Sequence, residues 1–332
     1  MAVMAILVIN NFSATAQTRK DPAEARVKAA EVAAGKEHSG LFKVLCAPPA
    51  PPVLASQAPA APATEPQGPP PRDSWHAEPV KVFDNLYWVG QTEYSSWAVT
   101  TSEGIIIVDA IFDYSVEDEV VNGLTKLGLD PSTIKYVIVS HAHRDHAGGA
   151  KYLQDHFGAR VIMSAIDWDA IEHDTGTWEK PKRDMSAADG QKLTLGDTTI
   201  TMYLTPGHTL GTISTLIPVR DNGRPHIAAE WGGTLFSWLT DRRAYITSGK
   251  PDRFWFETYT NSVRRFRDIA GKAGADVIIS SHTDYDESKT KLRLAASRKP
   301  GDDNPYVIGK DAAQRYLTVA EQCALAGLAR LQ

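Results

Sequence analysis

The stretch Ser140-His141-Ala142-His143-Arg144-Asp145-His146-Ala147-Gly148-Gly149 follows directly on the apolar run Tyr136-Val137-Ile138-Val139. Three histidines and an aspartate therefore fall within six residues at the end of a predicted strand. Side chains alternate faces along an extended chain, so His141 and His143 project together and can share one cation. Asp145 and His146 lie where Gly148 and Gly149 let the chain turn, and can serve a second cation beside the first. Imidazole and carboxylate are ligands that zinc favours.

Two further histidines stand at positions that suit a ligand. His208 sits in Thr205-Pro206-Gly207-His208-Thr209, where proline and glycine fix a sharp turn able to present an imidazole at a loop tip. His282, in Ser280-Ser281-His282-Thr283, ends the apolar run Val277-Ile278-Ile279. The remaining five, His38, His76, His156, His173 and His226, occupy polar or helical contexts and read as solvated or structural.

Composition narrows the class. The 332-residue chain is 42% hydrophobic and 23% charged, ordinary for a soluble globular protein. A net charge of −5 offers no basic face, so no nucleic-acid partner is expected. No apolar run reaches the roughly 18–20 residues that span a bilayer, so no stable membrane insertion is expected. Residues 1–16, apolar and ending in Ala14-Thr15-Ala16, read as a signal peptide. That reading predicts a periplasmic or secreted protein, the alternative being a cytoplasmic one. Residues 17–46 predict a helical extension. Ten of the twenty prolines then fall between Pro48 and Pro71, which makes residues 47–74 a Pro/Ala-rich linker. Residues 75–310 predict the main domain, and residues 311–332 a C-terminal helix. Within the domain, short β-rich runs come first and strand–helix alternation follows, which suggests two sheets covered by outer helices. The two cysteines, Cys46 and Cys323, lie away from the His/Asp cluster. In an oxidising compartment they would join the extension to the C-terminal helix as a disulfide; otherwise they are two buried thiols.

The His141–His146 run resembles the HxHxDH motif of the metallo-β-lactamase superfamily. Ile105-Ile106-Ile107-Val108-Asp109 upstream and Pro206-Gly207-His208-Thr209 downstream are similar to its other signatures, in the same order. The resemblance runs from Trp75 to about Lys310. It implies a four-layer αββα sandwich with two Zn²⁺ at one edge: His141, His143 and His208 on the first, Asp145, His146 and His282 on the second. Many members carry a bridging aspartate in a Gly-Asp-x-Leu-Phe-like segment. Here the matching stretch is Gly232-Gly233-Thr234-Leu235-Phe236, and Asp241 lies eight residues too late to substitute. Without that carboxylate the pair of cations keeps about one more unit of positive charge, which suits an anionic small-molecule substrate.

A ligand set of this kind resembles the third subclass of class B β-lactamases. The implied reaction is opening of a β-lactam amide by a metal-bound hydroxide, with Asp145 as the catalytic proton carrier. The alternative is another hydrolase of the fold acting on a lactone, ester or thioester. Asp109 is expected behind the ligands, or as a strand-end cap. Arg144 either binds a substrate carboxylate or is a solvated loop charge. Tyr94 and Trp97 either wall the pocket or belong to the core, and Thr234 is a further candidate for substrate contact.

Overall fold

The computed structural model describes residues 21–46 and 68–331. The expected signal peptide 1–16 and residues 47–67 of the expected linker lie outside the described residues. The helical extension resolves into α1 (Pro22–Ala34) and α2 (Ser39–Leu45). Asp21 caps α1, its carboxylate accepting the Ala23 N–H at 2.9 Å.

The first sheet contains β1 (Val80–Lys81), β2 (Leu86–Trp88), β3 (Trp97–Thr101), β4 (Gly104–Val108), β5 (Ile134–Ile138), β6 (Arg160–Ser164) and β7 (Met185–Ala187), in that spatial order. Strands β1 to β4 form an antiparallel meander, and β4 to β7 run parallel. Parallel strands need helical crossovers. These are α3 (Asn122–Lys126), α4 (Arg144–Ala147), α5 (Ala150–Phe157) and α6 (Ala165–His173). The helical segment after β4 begins with a π-turn over Glu117–Val121, and the Ser115 hydroxyl just before it donates to Phe112 O.

The second sheet has the order β12-β11-β10-β9-β8, from β8 (Gln191–Leu195), β9 (Thr198–Leu204), β10 (Ile213–Asp221), β11 (Arg224–Glu230) and β12 (Val277–Ile279). Strand β11 escapes notice as a β-rich run because proline, histidine and two alanines dilute it. Its signal is the turn before it. Asn222 and Gly223 both have positive φ (50° and 76°) and close a two-residue hairpin, which Asn-Gly favours. Outside this sheet lie α7 (Ser237–Thr240), α8 (Arg242–Tyr245), α9 (Asp252–Ala273), α10 (Ser288–Ala296) and α11 (Lys310–Ala329).

Period-two alternation sorts side chains between layers. Ile106 and Val108 of β4 face the second sheet and pack with Ile200, Met202, Ile213 and Ile279, whereas Ile105 and Ile107 face the helices with Leu124 and Leu153. The outer face of the second sheet buries Leu216, Ala229 and Ile278 beneath Trp255, Phe266 and Leu317, together with Leu41 and Leu45 of α2. Each leucine, isoleucine and phenylalanine among them contributes roughly 1.5–3 kcal/mol on burial. The four layers are helix, sheet, sheet, helix, with the extension added outside the fourth. A disulfide joins Cys46 to Cys323, Cα to Cα 4.8 Å. No helix among the described residues is long and apolar enough to cross a membrane.

Candidate metal centre

Strands β4, β5, β9 and β12 end at the same edge of the sandwich, where the chain carries Asp109, His141, His208 and His282 respectively. His143 is the extended residue before α4, and Asp145 and His146 occupy that helix's single turn. Two groups result: His141, His143 and His208, and beside them Asp145, His146 and His282. The rings of His141 and His146 lie 4.1 Å apart, so the groups adjoin.

The nitrogens are arranged as cation ligands. His141 Nδ1 lies 2.9 Å from Gly232 O, and His208 Nδ1 lies 2.8 Å from Leu235 O, so each donates outward and leaves Nε2 with its lone pair inward. His143 places Nε2 2.8 Å from the Tyr245 hydroxyl and turns Nδ1 inward. His208 Nε2 then lies 3.0 Å from His141 Nε2 and 3.1 Å from His143 Nδ1. Three lone pairs so close would repel one another. The spacings approach the ~3.3 Å edge of a tetrahedron whose metal–nitrogen bonds are about 2.0 Å. In the second group, Asp145 Oδ2 is 3.2 Å from His146 Nε2 and 3.5 Å from His282 Nε2. His146 Nε2 is buried without a hydrogen-bond partner. The donor set therefore fits two cations of the zinc type.

Electrostatics agree with that fit. Burial, reinforced by the neighbouring imidazoles, holds His141 and His208 far below the usual histidine range and His282 down to about 3. These rings are neutral at neutral pH, as ligands must be. Burial opposes charge on Asp145 too, but the adjacent His146 keeps its carboxyl well below the ordinary range, hence ionised. Burial likewise disfavours a charged His146, yet the Asp145 and Asp109 carboxylates flanking it raise it to about 10. The second group is thus a place that favours positive charge.

Asp109 orients these ligands from behind. Its carboxylate accepts the Ser140 N–H at 2.7 Å, the Ser140 hydroxyl at 2.8 Å and His146 Nδ1–H at 2.8 Å. It does so from a left-handed backbone (φ 60°), strain of about 1–3 kcal/mol that the surrounding bonds offset. The fully buried carboxylate that fixes the motif from the other side, Asp167, carried no sequence signal. It accepts the Ala142 N–H at 3.0 Å and the Thr209 hydroxyl at 2.9 Å, tying the loop of His143 to the turn of His208. Burial pushes Asp167 up to about 6 despite those bonds. A carboxyl whose folded-state value is raised holds its proton more tightly when native, so its contribution is present below about pH 4 and is lost as pH rises to about 6. In the metal-free chain, wild-type stability should fall relative to Asp167→Asn by up to about 3 kcal/mol across that window in denaturant titrations. A difference that does not change with pH would contradict this.

Five expectations for the pocket need correction or refinement. Arg144 has its guanidinium paired to Asp113 (Nε to Oδ1 2.9 Å) and lying over the Phe112 ring, so it is engaged before any substrate arrives. Trp97 is core between the sheets, its indole N–H donating to Ser280 O at 3.0 Å. Thr234 is fully buried and offers substrate no surface. Tyr94 does border the second group, its ring 5.0 Å from both His282 and Phe112. Gly233, expected at the bridging position, lies against a ligand. A Cβ there would press on His208 Cβ and come within 2.9 Å of His208 Cγ and Thr212 Cγ2, which leaves no room for an aspartate.

Comparison with known proteins agrees with this architecture. The model of the metallo-beta-lactamase superfamily matches residues 89–221. A hydroxyacylglutathione hydrolase of Acidiphilium cryptum is 35% identical over 121 residues, 36% of this chain and 42% of that protein. The chain spans about half the length of the curated relatives it matches. Among solved structures, BJP-1, a subclass B3 metallo-beta-lactamase of Bradyrhizobium japonicum, superposes with a TM-score of 0.61 at 24% identity, covering 74% of this chain and 91% of that one. A metallo-beta-lactamase of Cronobacter sakazakii superposes with a TM-score of 0.58 at 26% identity, with the same coverage of both chains. The family model spans the strands that carry the HxHxDH run, so residues 89–221 resemble the metallo-beta-lactamase superfamily, and the two-sheet fold is similar to that of solved metallo-beta-lactamases.

Proposed function

We propose that the chain is a dinuclear zinc hydrolase that opens the amide of β-lactam rings. The observation that carries this reading is the pair of adjoining groups, one of three imidazoles and one of Asp145 with two imidazoles, with no space at Gly233 for a bridging carboxylate. Zinc held by these six residues would supply Lewis acidity toward the scissile carbonyl and toward water.

The chain's own residues supply the rest. Asp145, kept ionised and half-buried, is the acceptor for the proton of the attacking water and can return it to the departing nitrogen. Tyr245 fixes the ring of His143 by accepting its Nε2–H; burial raises the phenol to about 12, so the hydroxyl keeps its own proton at neutral pH. Tyr94 and Phe112 limit water on the side of His282. The low count of anionic ligands favours an anionic substrate. The disulfide supports an oxidising compartment, the periplasm or the exterior.

A second reading, thioester hydrolysis, is favoured by the 35% identity to a protein named hydroxyacylglutathione hydrolase. Turnover of a chromogenic cephalosporin, a lactone and a hydroxyacylglutathione by the zinc-loaded chain separates the two. The lactam reading predicts kcat/KM highest for the cephalosporin. Thioester turnover with no lactam turnover would replace it by the second.

A further inference from the structure

We propose that the segment Pro22–Cys46 is a positioning element for the second ligand group, acting through its grip on the loop from His282 to Glu287. The inference rests on reading Asp145, His146 and His282 as cation ligands.

His282 leaves β12 and enters a loop held from two sides. On one side stands the segment 92–95. Ser281 O accepts the Ser95 N–H at 2.8 Å, and Thr283 donates its N–H to Glu93 O at 3.1 Å and its hydroxyl to Thr92 O at 2.6 Å. On the other side stands α2. The Gly40 N–H donates to Glu287 Oε1 at 2.8 Å, and the Ser39 hydroxyl donates to the same oxygen at 3.2 Å. Between these anchors the Tyr285 ring lies against the imidazole of His282, centroids 4.7 Å apart at 32°. Tyr285 is buried in the same cluster as Leu41 and Leu45 of α2. A displacement of α2 therefore disturbs the loop at Asp284 and Glu287, on either side of the ring that lies against His282.

The grip is close and strained. A Cβ on Gly40 would press into the carbonyl oxygen of Asp284 and lie 3.1 Å from Glu287 Oε1. Glu287 itself has left-handed backbone (φ 64°), which a non-glycine side chain adopts only when its surroundings hold it there. Its two hydrogen bonds to α2 are such a hold. Helix α2 is in turn fixed at both ends to α11, by His38 Nε2 at 2.8 Å from Ala312 O and by the Cys46–Cys323 disulfide. Extension, C-terminal helix and ligand loop form a closed ring of contacts. Among the described residues, no hydrogen bond joins residues 21–46 to the loops carrying His141, His143 or His208. The effect should therefore fall on one group of ligands.

The test is a zinc titration of the metal-free full chain against a chromophoric chelator, for wild type, Gly40→Ala and Glu287→Gln. The constant that disappears in His282→Ala identifies the second group. Both variants are expected to raise that dissociation constant about tenfold or more, the range typical of losing a group that orients a ligand, with the other constant within about twofold of wild type. Alanine is a better helix former than glycine, so loss in Gly40→Ala would come from the collision with Asp284 and not from unwinding of α2. Glu287→Gln keeps the shape of the side chain and weakens only the acceptor. An unchanged second constant overturns the proposal, and so does an equal rise in both constants, which would mark general destabilisation. A wild-type chain that titrates a single cation would refute the two-group reading itself and take this proposal with it.

Discussion

Replacing Asp145 by alanine is expected to lower hydrolytic kcat/KM by on the order of 10²–10⁴-fold. Bound zinc should fall toward one per chain, measured by atomic emission beside a chromogenic assay. Two losses combine in that number. Asp145 Oδ2 is the only carboxylate oxygen in either ligand group, so its removal leaves His146 and His282 as a pair of neutral rings that hold a divalent cation weakly. The same oxygen is the proton acceptor in the proposed reaction. His282→Ala separates the two effects, since it weakens the second group and spares the carboxylate. Asp145→Ala should therefore lose more turnover than His282→Ala at saturating zinc. Retention of activity within threefold of wild type would remove Asp145 from the chemistry.

The second large effect is expected from Gly233→Asp. Judged by sequence, this substitution restores the bridging carboxylate found in many relatives of the fold. Judged by the space available, it cannot do so. The new Cβ would meet His208 Cβ and Cγ and Thr212 Cγ2, atoms of rigid buried side chains near their backbone and not the ends of flexible ones. His208 would have to move, and with it the nitrogen that closes the first group at 3.0 and 3.1 Å from His141 and His143. Overpacking of this kind costs about 1–3 kcal/mol. Thermal melts should show that loss, and zinc titration should show weakened binding at the first group with turnover reduced in proportion. Two tightly held cations with undiminished stability would mean the site accommodates a bridge after all.

The ligand groups were legible because the HxHxDH spacing uses two simple geometries, alternation along a strand and the first turn of a helix, both local in sequence. The sandwich was legible through Ile105–Val108 and Val277–Ile279, short apolar runs whose only economical location is between layers. What sequence hid was long-range. Asp167 is one acidic residue in a helix, and nothing local reveals that it bonds the backbone of Ala142. Tyr245 follows Asp241-Arg242-Arg243 in a polar stretch, yet it reaches His143 across the site. Arg144 left open an anion binder or a solvated loop charge, and nothing local shows that Asp113, 31 residues earlier, pairs with it. Trp97 left open a pocket wall or the core, and its place in β3 turns it between the sheets. The role of the extension was equally hidden, because Gly40 and Glu287 are separated by 247 residues.

The central claim is that two adjoining ligand groups hold two cations and that hydrolysis needs both. Its most direct test is turnover of the preferred substrate as zinc is added stepwise to the metal-free chain. We predict that activity rises to its full value only as the second equivalent per chain is bound. Activity that saturates at one equivalent, or persists in the metal-free protein, would contradict it.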